Sequence, residues 1–361
     1  MRTFDYGKLP QKLLTGALGD ANALLFEDRG KLQFLKQLRP ELLEELSAGA
    51  FFDNVDASAH IDGIYVDAAR VTALLAGDPP QNETESQIAG YAAALRRIVA
   101  RADTLDLSTG SIIGLYETLY SHRKLGTRSR YRKKDFMYVQ VDGHMQAMPV
   151  SPITAFETPL VLGGACDSLA STFRADGFNA AVLAAVFTVD FLCIRPFDEG
   201  NGRIARLFAM LVLQKAGFDV FRYLSVDRLI EQSAMAYYDA LNACVEKWDR
   251  GFNTYEPFVT YWLDVLHRAY ARLFALVDAR LAGGGAKSER VRAFALNAQG
   301  PVSKREILAA LPDVSEATVE AVLGKMLKEG SLERVGGGRS SAYRRKSEER
   351  APEGTRSDVE P

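Results

Sequence analysis

Between Arg195 and Arg206 the chain reads Arg-Pro-Phe-Asp-Glu-Gly-Asn-Gly-Arg-Ile-Ala-Arg, a run whose residue types suit the holding of a polyphosphate. Gly200, Asn201 and Gly202 stand where a helical apolar pattern begins, so bare backbone N–H groups and the positive end of a helix dipole converge on one point. The consequence is an anion site. Arg203 and Arg206 are three positions apart, hence on one face of the first turn, where two guanidinium groups can take phosphate oxygens in bidentate fashion. Glu199 lies beside them and supplies a hard oxygen ligand for magnesium. A glycine-rich helix start with two solvated arginines is the plainer alternative, and it accounts for the Gly-Asn-Gly but not for the whole run.

A second constellation lies far upstream. Ser58 and Asp62 are four positions apart, so a helix puts both on one face, with the Ser58 hydroxyl in reach of the carboxylate and Gly63 ending the helix. An ordinary helix C-terminus followed by glycine has the same pattern.

The elements that must position these groups are mostly helical. Apolar residues recur three and four apart from Leu9 to about Ala282, as in SQIAGYAAALRRIVARA and NAAVLAAVFTVDFL, which predicts a mainly α protein. Residues 135–150 break the pattern and alternate in period two around Asp142 and Gly143, a pair suited to a tight hairpin turn. A lone hairpin among helices is unstable unless it packs on something or grips something. Gly283, Gly284 and Gly285 read as a joint after a long helix beginning near Tyr255. Beyond them, residues 287–346 give three helices and then two short strands around Gly336 to Gly338, with Ser303 and Ser315 as N-caps, the element order of a winged helix-turn-helix. Residues 347–361 carry too little apolar content to bury and are expected to be disordered.

Composition narrows the class without choosing it. The 361 residues suit one large domain with attachments, and 47% hydrophobic with 25% charged residues is ordinary for a globular protein. A net charge of −2 gives no global pull toward nucleic acid or membrane. Cys166, Cys193 and Cys244 are odd in number, widely spaced and set in apolar stretches, which argues against a disulfide framework or a zinc site. The first residues lack an apolar signal core and no run of about 18 apolar residues occurs, so a cytoplasmic protein with no membrane partner is expected.

The run at 195–206 resembles the signature of the Fic (Fido) family, His-x-Phe-x-Asp/Glu-Gly-Asn-Gly-Arg-x-x-Arg. Phe197, Glu199, Gly200, Asn201, Gly202, Arg203 and Arg206 match it, and Arg195 stands where the family has histidine. Three further features are similar to the family's: a hairpin flap at 135–150, a Ser-x-x-x-Asp-Gly segment at 58–63 in place of an inhibitory helix, and the Tyr237-Tyr238 pair. The resemblance implies a Fic fold, a helical bundle with a β-hairpin flap, plus the C-terminal winged helix. It divides the chain into an N-terminal helical region at 1–105, a core at 106–282, the winged helix at 287–346 and the tail at 347–361.

The resemblance also implies an activity, the transfer of AMP from ATP, with magnesium, to a Ser, Thr or Tyr hydroxyl of a protein target or of the chain itself. Under it, Asn201 with the Gly200 and Gly202 amides holds the α-phosphate, Arg203 the β-phosphate, Arg206 the γ-phosphate and Glu199 the metal. Asp142, Gly143, His144 and Met145 clamp the target as an added strand, and Tyr237 and Tyr238 border the adenine or ribose, where ordinary helix packing is the alternative. The inhibitory role falls to Asp62, aimed at Arg206. One methylene shorter than the family's glutamate, it is expected to pair more loosely. Removal of AMP from modified targets, assisted by the same carboxylate, is an alternative activity.

Arg195 alters the chemistry. The family's histidine takes the proton from the attacking hydroxyl, whereas a guanidinium with a pKa above about 12 is deprotonated in fewer than one in about 10⁵ molecules at neutral pH. General-base help is worth about 10²- to 10⁴-fold. The expectation is a weakened transferase, with His144 the first candidate for a substitute base, or an ATP-binding protein that performs no transfer and acts as a regulator. Residues 287–346 carry twelve basic and seven acidic side chains. The basic wing suits phosphate contacts with DNA. Glu316 and Glu320 at the start of the candidate recognition helix oppose them and suit protein docking or a homodimer.

Overall fold

The computed structural model describes residues 2–122, 131–141, 144–175, 179–281, 287–298, 300–336 and 341–346. It divides into two compact units, 1–270 and 271–361. The turn residues Asp142 and Gly143, the glycines at 283–285, Gly337 and Gly338, and the tail at 347–361 lie outside the described residues.

In the first unit the helices are α1 (Leu9–Leu13), α2 (Ala17–Leu38), α3 (Pro40–Ile61), α4 (Ala68–Ala76), α5 (Glu83–Arg101) and α6 (Thr109–Leu119). The strands β1 (Phe136–Val141) and β2 (His144–Pro149) follow, then α7 (Thr158–Arg174), α8 (Ala180–Ile194), α9 (Asn201–Lys215), α10 (Val226–Gln232), α11 (Ala234–Val245) and α12 (Glu256–Leu281), inside which the unit boundary falls. The centre is α8, apolar on every side and buried along almost its whole length, as a helix without a polar face must be. It packs against α9, which continues the core through Ile204, Leu207, Phe208 and Leu211. Around this pair α5 touches α3, α6 and α9, and α3 lies along α10. The approach of α5 to α6 depends on Gly90: a Cβ there would sit 1.8 Å from the Leu119 carbonyl oxygen.

The one wholly buried polar side chain of α8 near its C-terminal end, Asp190, ties down the chain's beginning. It accepts hydrogen bonds from Tyr6 at 2.6 Å, Trp248 at 2.6 Å and Tyr255 at 2.8 Å, and pairs with Arg2 at 3.4 Å. Burial raises its pKa, and Arg2 and the three donors oppose that rise.

β1 and β2 pair antiparallel from Phe136 opposite Pro149 to Val141 opposite His144, the register of a two-residue connection. The feet of this hairpin are fastened to the end of α8. Arg132 is buried, with its Nε donating to the Arg195 carbonyl at 3.0 Å, Nη1 to that of Lys134 at 2.9 Å and Nη2 to that of Ile153 at 2.6 Å. Its backbone N–H reaches the Pro196 carbonyl at 2.8 Å, and the Ser151 hydroxyl donates to the Cys193 carbonyl at 2.8 Å.

The second unit holds α13 (Lys287–Asn297), β3 (Val302–Ser303), α14 (Lys304–Ala310), α15 (Glu316–Lys328), β4 (Leu332–Val335) and β5 (Ala342–Arg345). Ser303 forms a capping box with Glu306, and Ser315 caps α15 through the Thr318 N–H. The two expected strands are joined by a third, because Val302 and Ser303 extend alongside β5, giving the order β3-β5-β4. Val291, Phe294, Ile307, Leu311, Val319, Leu323, Met326 and Leu332 form this unit's own core.

Candidate functional site

The chain between α8 and α9 is a tight loop set by two left-handed residues. Arg195, at φ 46°, ends α8 with its N–H on the Phe191 carbonyl at 2.8 Å, and Gly200, at φ 73°, precedes α9. A Cβ on Gly200 would meet the Tyr120 hydroxyl at 2.5 Å, so glycine is required by space as well as by φ. Inside the loop Phe197 is buried and stacks on Tyr116 at 3.8 Å between ring centroids. The Asn201 side chain closes the loop from within. Its Oδ1 accepts from the Phe197 N–H at 3.0 Å and its Nδ2 donates to the Phe197 carbonyl at 2.8 Å. No side chain caps α9, which leaves the first-turn N–H groups facing outward as a place for an anion.

Arg203 and Arg206 are both buried, at 4% and 3% exposure, so each charge must be compensated locally. One carboxylate across the gap serves both. Asp62, the residue that caps α3, places Oδ2 2.8 Å from Arg203 Nε and Oδ1 3.2 Å from Arg206 Nη2. The expected loose pairing with Arg206 alone is therefore replaced by direct contact with both arginines. The shorter side chain reaches because α3 itself ends beside α9. Ser58 likewise departs from expectation: its hydroxyl accepts from Arg206 Nη2 at 2.9 Å, and its carbonyl accepts from the same atom at 3.1 Å. Gly63, at φ 75°, turns the chain away just after the contact.

Tyr237 is buried with its hydroxyl unpartnered among the described residues, and it lies in the field of Arg206. Tyr238 is 45% exposed, its hydroxyl 3.5 Å from the Ile61 carbonyl at the end of α3. Glu199 is half-buried at the loop's rim. His144 and Met145 belong to β2, and their side chains lie outside the described residues. His60 points away from the loop and binds Glu231 at 2.7 Å.

Four further residues shape this site without any sign in the local sequence. Tyr120 meets Arg203 Nη2 at 3.4 Å, and Arg132 pins the loop's start as described. Asp227, fully buried at the start of α10, stands 3.6 Å from Arg206 Nε and accepts a hydrogen bond from Tyr91. Burial pushes the Asp227 pKa up to about 6, against the pull of Arg206 and the Tyr91 hydroxyl. Burial also works against the charge on Arg206, but Asp62 and Asp227 together outweigh it and hold the guanidinium firmly protonated.

A helical core presenting an uncapped helix start and two buried cations defines a class, a mainly helical protein with a candidate anion site. One stretch of the chain matches a family model. Residues 107–213 match the model of the Fic/DOC family, so the chain carries a Fic/DOC domain spanning α6 to α9, with the hairpin and the loop inside it. Ser58, Asp62, Tyr237 and Tyr238 lie beyond that match. No curated protein matches the sequence.

Solved structures similar to this one agree on the fold. A Fic family protein from Desulfovibrio desulfuricans G20 is 19% identical, with a TM-score of 0.53, over 92% of this chain and 97% of its own. A Fic-domain-containing signaling protein from Bacteroides thetaiotaomicron VPI-5482 is 20% identical, with a TM-score of 0.55, over 70% of this chain and 96% of its own. Residues 134–508 of C. elegans Fic-1, in a form carrying a glutamate-to-glycine substitution, are 18% identical with a TM-score of 0.54, and 73% of each chain is covered.

Proposed function

We propose that this chain is a Fic-type nucleotidyltransferase that moves AMP from ATP to a Ser, Thr or Tyr hydroxyl of a protein, held in check by Asp62 and slowed by Arg195. One observation carries the reading: two buried guanidinium groups at an uncapped helix start are bridged by a carboxylate that is 21% exposed and borne on a different element. A triphosphate offers the same arginines more acceptor oxygens and more charge. Its β- and γ-phosphates take Arg203 and Arg206 once Asp62 withdraws, and the α-phosphate lies against the first amides of α9. Arg203 Nη1 and the Tyr237 hydroxyl, buried and unpartnered among the described residues, fit a polar ligand in that space.

Among the described residues no three metal-binding side chains gather, so Glu199 would be the residue to hold a magnesium ion, which when bound would supply neutralisation of phosphate charge. In the transfer the target hydroxyl oxygen forms a bond to the α-phosphorus, the bond to the bridging oxygen breaks and pyrophosphate leaves. The hydroxyl proton passes to water, because Arg195 cannot accept it. The hairpin supplies an edge for the target's backbone, and its feet are anchored to the carbonyls of Arg195 and Ile153 by Arg132.

Arg195 favours a second reading, an ATP-binding protein that performs no transfer and signals occupancy. Incubation with α-labelled ATP and magnesium separates the two. Label on protein in the Asp62→Gly form supports transfer, and label only after Arg195→His leaves the silent reading. Calorimetry is expected to show ATP binding strengthened at least about tenfold by Asp62→Gly, since a charge-assisted contact is worth about 1.5–3 kcal/mol. Absence of ATP binding in every form defeats both readings.

For residues 287–346 we read the three helices and three-stranded sheet as a winged helix that docks protein, a second copy of the chain included, rather than DNA. Glu316 and Glu320 at the start of α15 carry that preference, with Glu320 already paired to Lys304.

A further inference from the structure

Arg206 stands between two carboxylates of opposite character. Asp62 comes from the end of α3, is partly exposed and is followed by a glycine turn, so it is free to leave. Asp227 cannot leave. It is wholly buried, its backbone N–H is held by the Asn54 side chain at 3.3 Å and its Oδ2 accepts from Tyr91. Its Oδ1 is buried, accepts no hydrogen bond from the described residues and faces Arg206 Nε at 3.6 Å. Ser58 supplies only neutral acceptors on the same guanidinium.

Withdrawal of Asp62 therefore exposes the two arginines unequally. Arg203 loses the one carboxylate within ion-pair range of it among the described residues, whereas Arg206 keeps a full negative charge at its back. Because the surroundings are dry, that charge is poorly screened and offsets much of the pull Arg206 exerts on a phosphate in front. The raised proton affinity of Asp227 is consistent with a carboxylate held in place by the fold at an energetic cost.

Resting on the nucleotide-site reading above, we infer that Asp227 is the specificity-determining counter-ion of the phosphate site. It weakens the grip of Arg206 on the terminal phosphate and so sets how strongly the site prefers a nucleoside triphosphate over a monophosphate. A monophosphate, which does not extend to Arg206, does not register the change.

The test is calorimetry on the full chain in an Asp62→Ala background, titrating ATP and AMP separately with magnesium. Asp227→Asn, which keeps the shape and can still accept from Tyr91, is expected to tighten ATP by about tenfold, roughly 1.4 kcal/mol. AMP affinity is expected to stay within about twofold, a difference of roughly 0.4 kcal/mol. Tyr91→Phe removes a donor that favours the ionised carboxylate, so Asp227 is protonated more readily and ATP alone is expected to tighten, by less than in Asp227→Asn. Both nucleotides moving together in either variant, or an unchanged ATP-to-AMP ratio, overturns the inference while leaving the nucleotide site intact. A role in folding alone would lower the melting temperature without altering that ratio. If Asp62→Ala itself binds no ATP, the nucleotide-site reading fails and takes this inference with it.

Discussion

Asp227 shows how one carboxyl group can be costly in stability and still be retained. Its folded pKa, about 6, lies above the ordinary aspartate value of about 3.9. Between those two values the folded state binds the extra proton, so the group's contribution to stability falls as pH rises through that window and levels off above it. Arg206 and Arg228 favour its ionised form, while burial and Asp62 oppose it. The stability of the wild type minus that of Asp227→Asn is expected to drop between about pH 4 and pH 6 by up to about 3 kcal/mol, at 1.36 kcal/mol per pKa unit. Urea unfolding of both proteins across that range checks it, and a difference that is flat or rises with pH contradicts the assignment.

At the scale of elements, a guanidinium ties the foot of the hairpin to the loop. Arg132 satisfies the carbonyls of Arg195, Lys134 and Ile153 and pairs with Asp135 at 3.2 Å. Arg132→Met strands those acceptors and leaves the Asp135 carboxylate with only its bond from the Ala155 N–H in this group. The expected loss is about 3 kcal/mol of stability, since each buried acceptor left unsatisfied costs about 1–3 kcal/mol. Faster amide exchange is expected at residue 132, whose N–H bonds across this junction to the Pro196 carbonyl, and at Val150, whose N–H closes the base of the hairpin on the Asp135 carbonyl. Unchanged exchange there, measured by mass spectrometry at matched stability, rules out the fastening role. The same junction explains why Arg195 tolerates a left-handed backbone: its carbonyl is held by Arg132 and its N–H by Phe191.

The whole molecule consists of two compact units, and the second has a hydrophobic core of its own. A fragment spanning 271–346 includes Ala279, the buried faces of α13, α14 and α15, and the three strands. It is expected to melt cooperatively by circular dichroism, and a broad, non-cooperative melt contradicts its independence. The same fragment mixed with labelled random duplex DNA is expected to give no mobility shift at physiological salt, since the two acidic residues at the start of α15 repel phosphate. A shift would restore the DNA reading.

Sequence alone determined what short-range physics controls. Apolar periodicity marked the helices, strict alternation marked the hairpin, and the serines at 303 and 315 marked two helix starts, because each depends on residues within one or two turns. The run from Glu199 to Arg206 pointed to a candidate anion site for the same reason, since a helix start and its arginines share one turn. Tertiary structure alone decided which groups face those arginines. Asp62 spans both of them, Ser58 serves Arg206 instead of its own helix neighbour, and Asp227, Tyr91, Tyr120 and Arg132 enter from other elements. The positions of Asp62, Ser58, Tyr91 and Asp227 are set by the packing of α3 on α5 and on α10. A buried charge chooses its partner by proximity in that packing, which no spacing along the chain records.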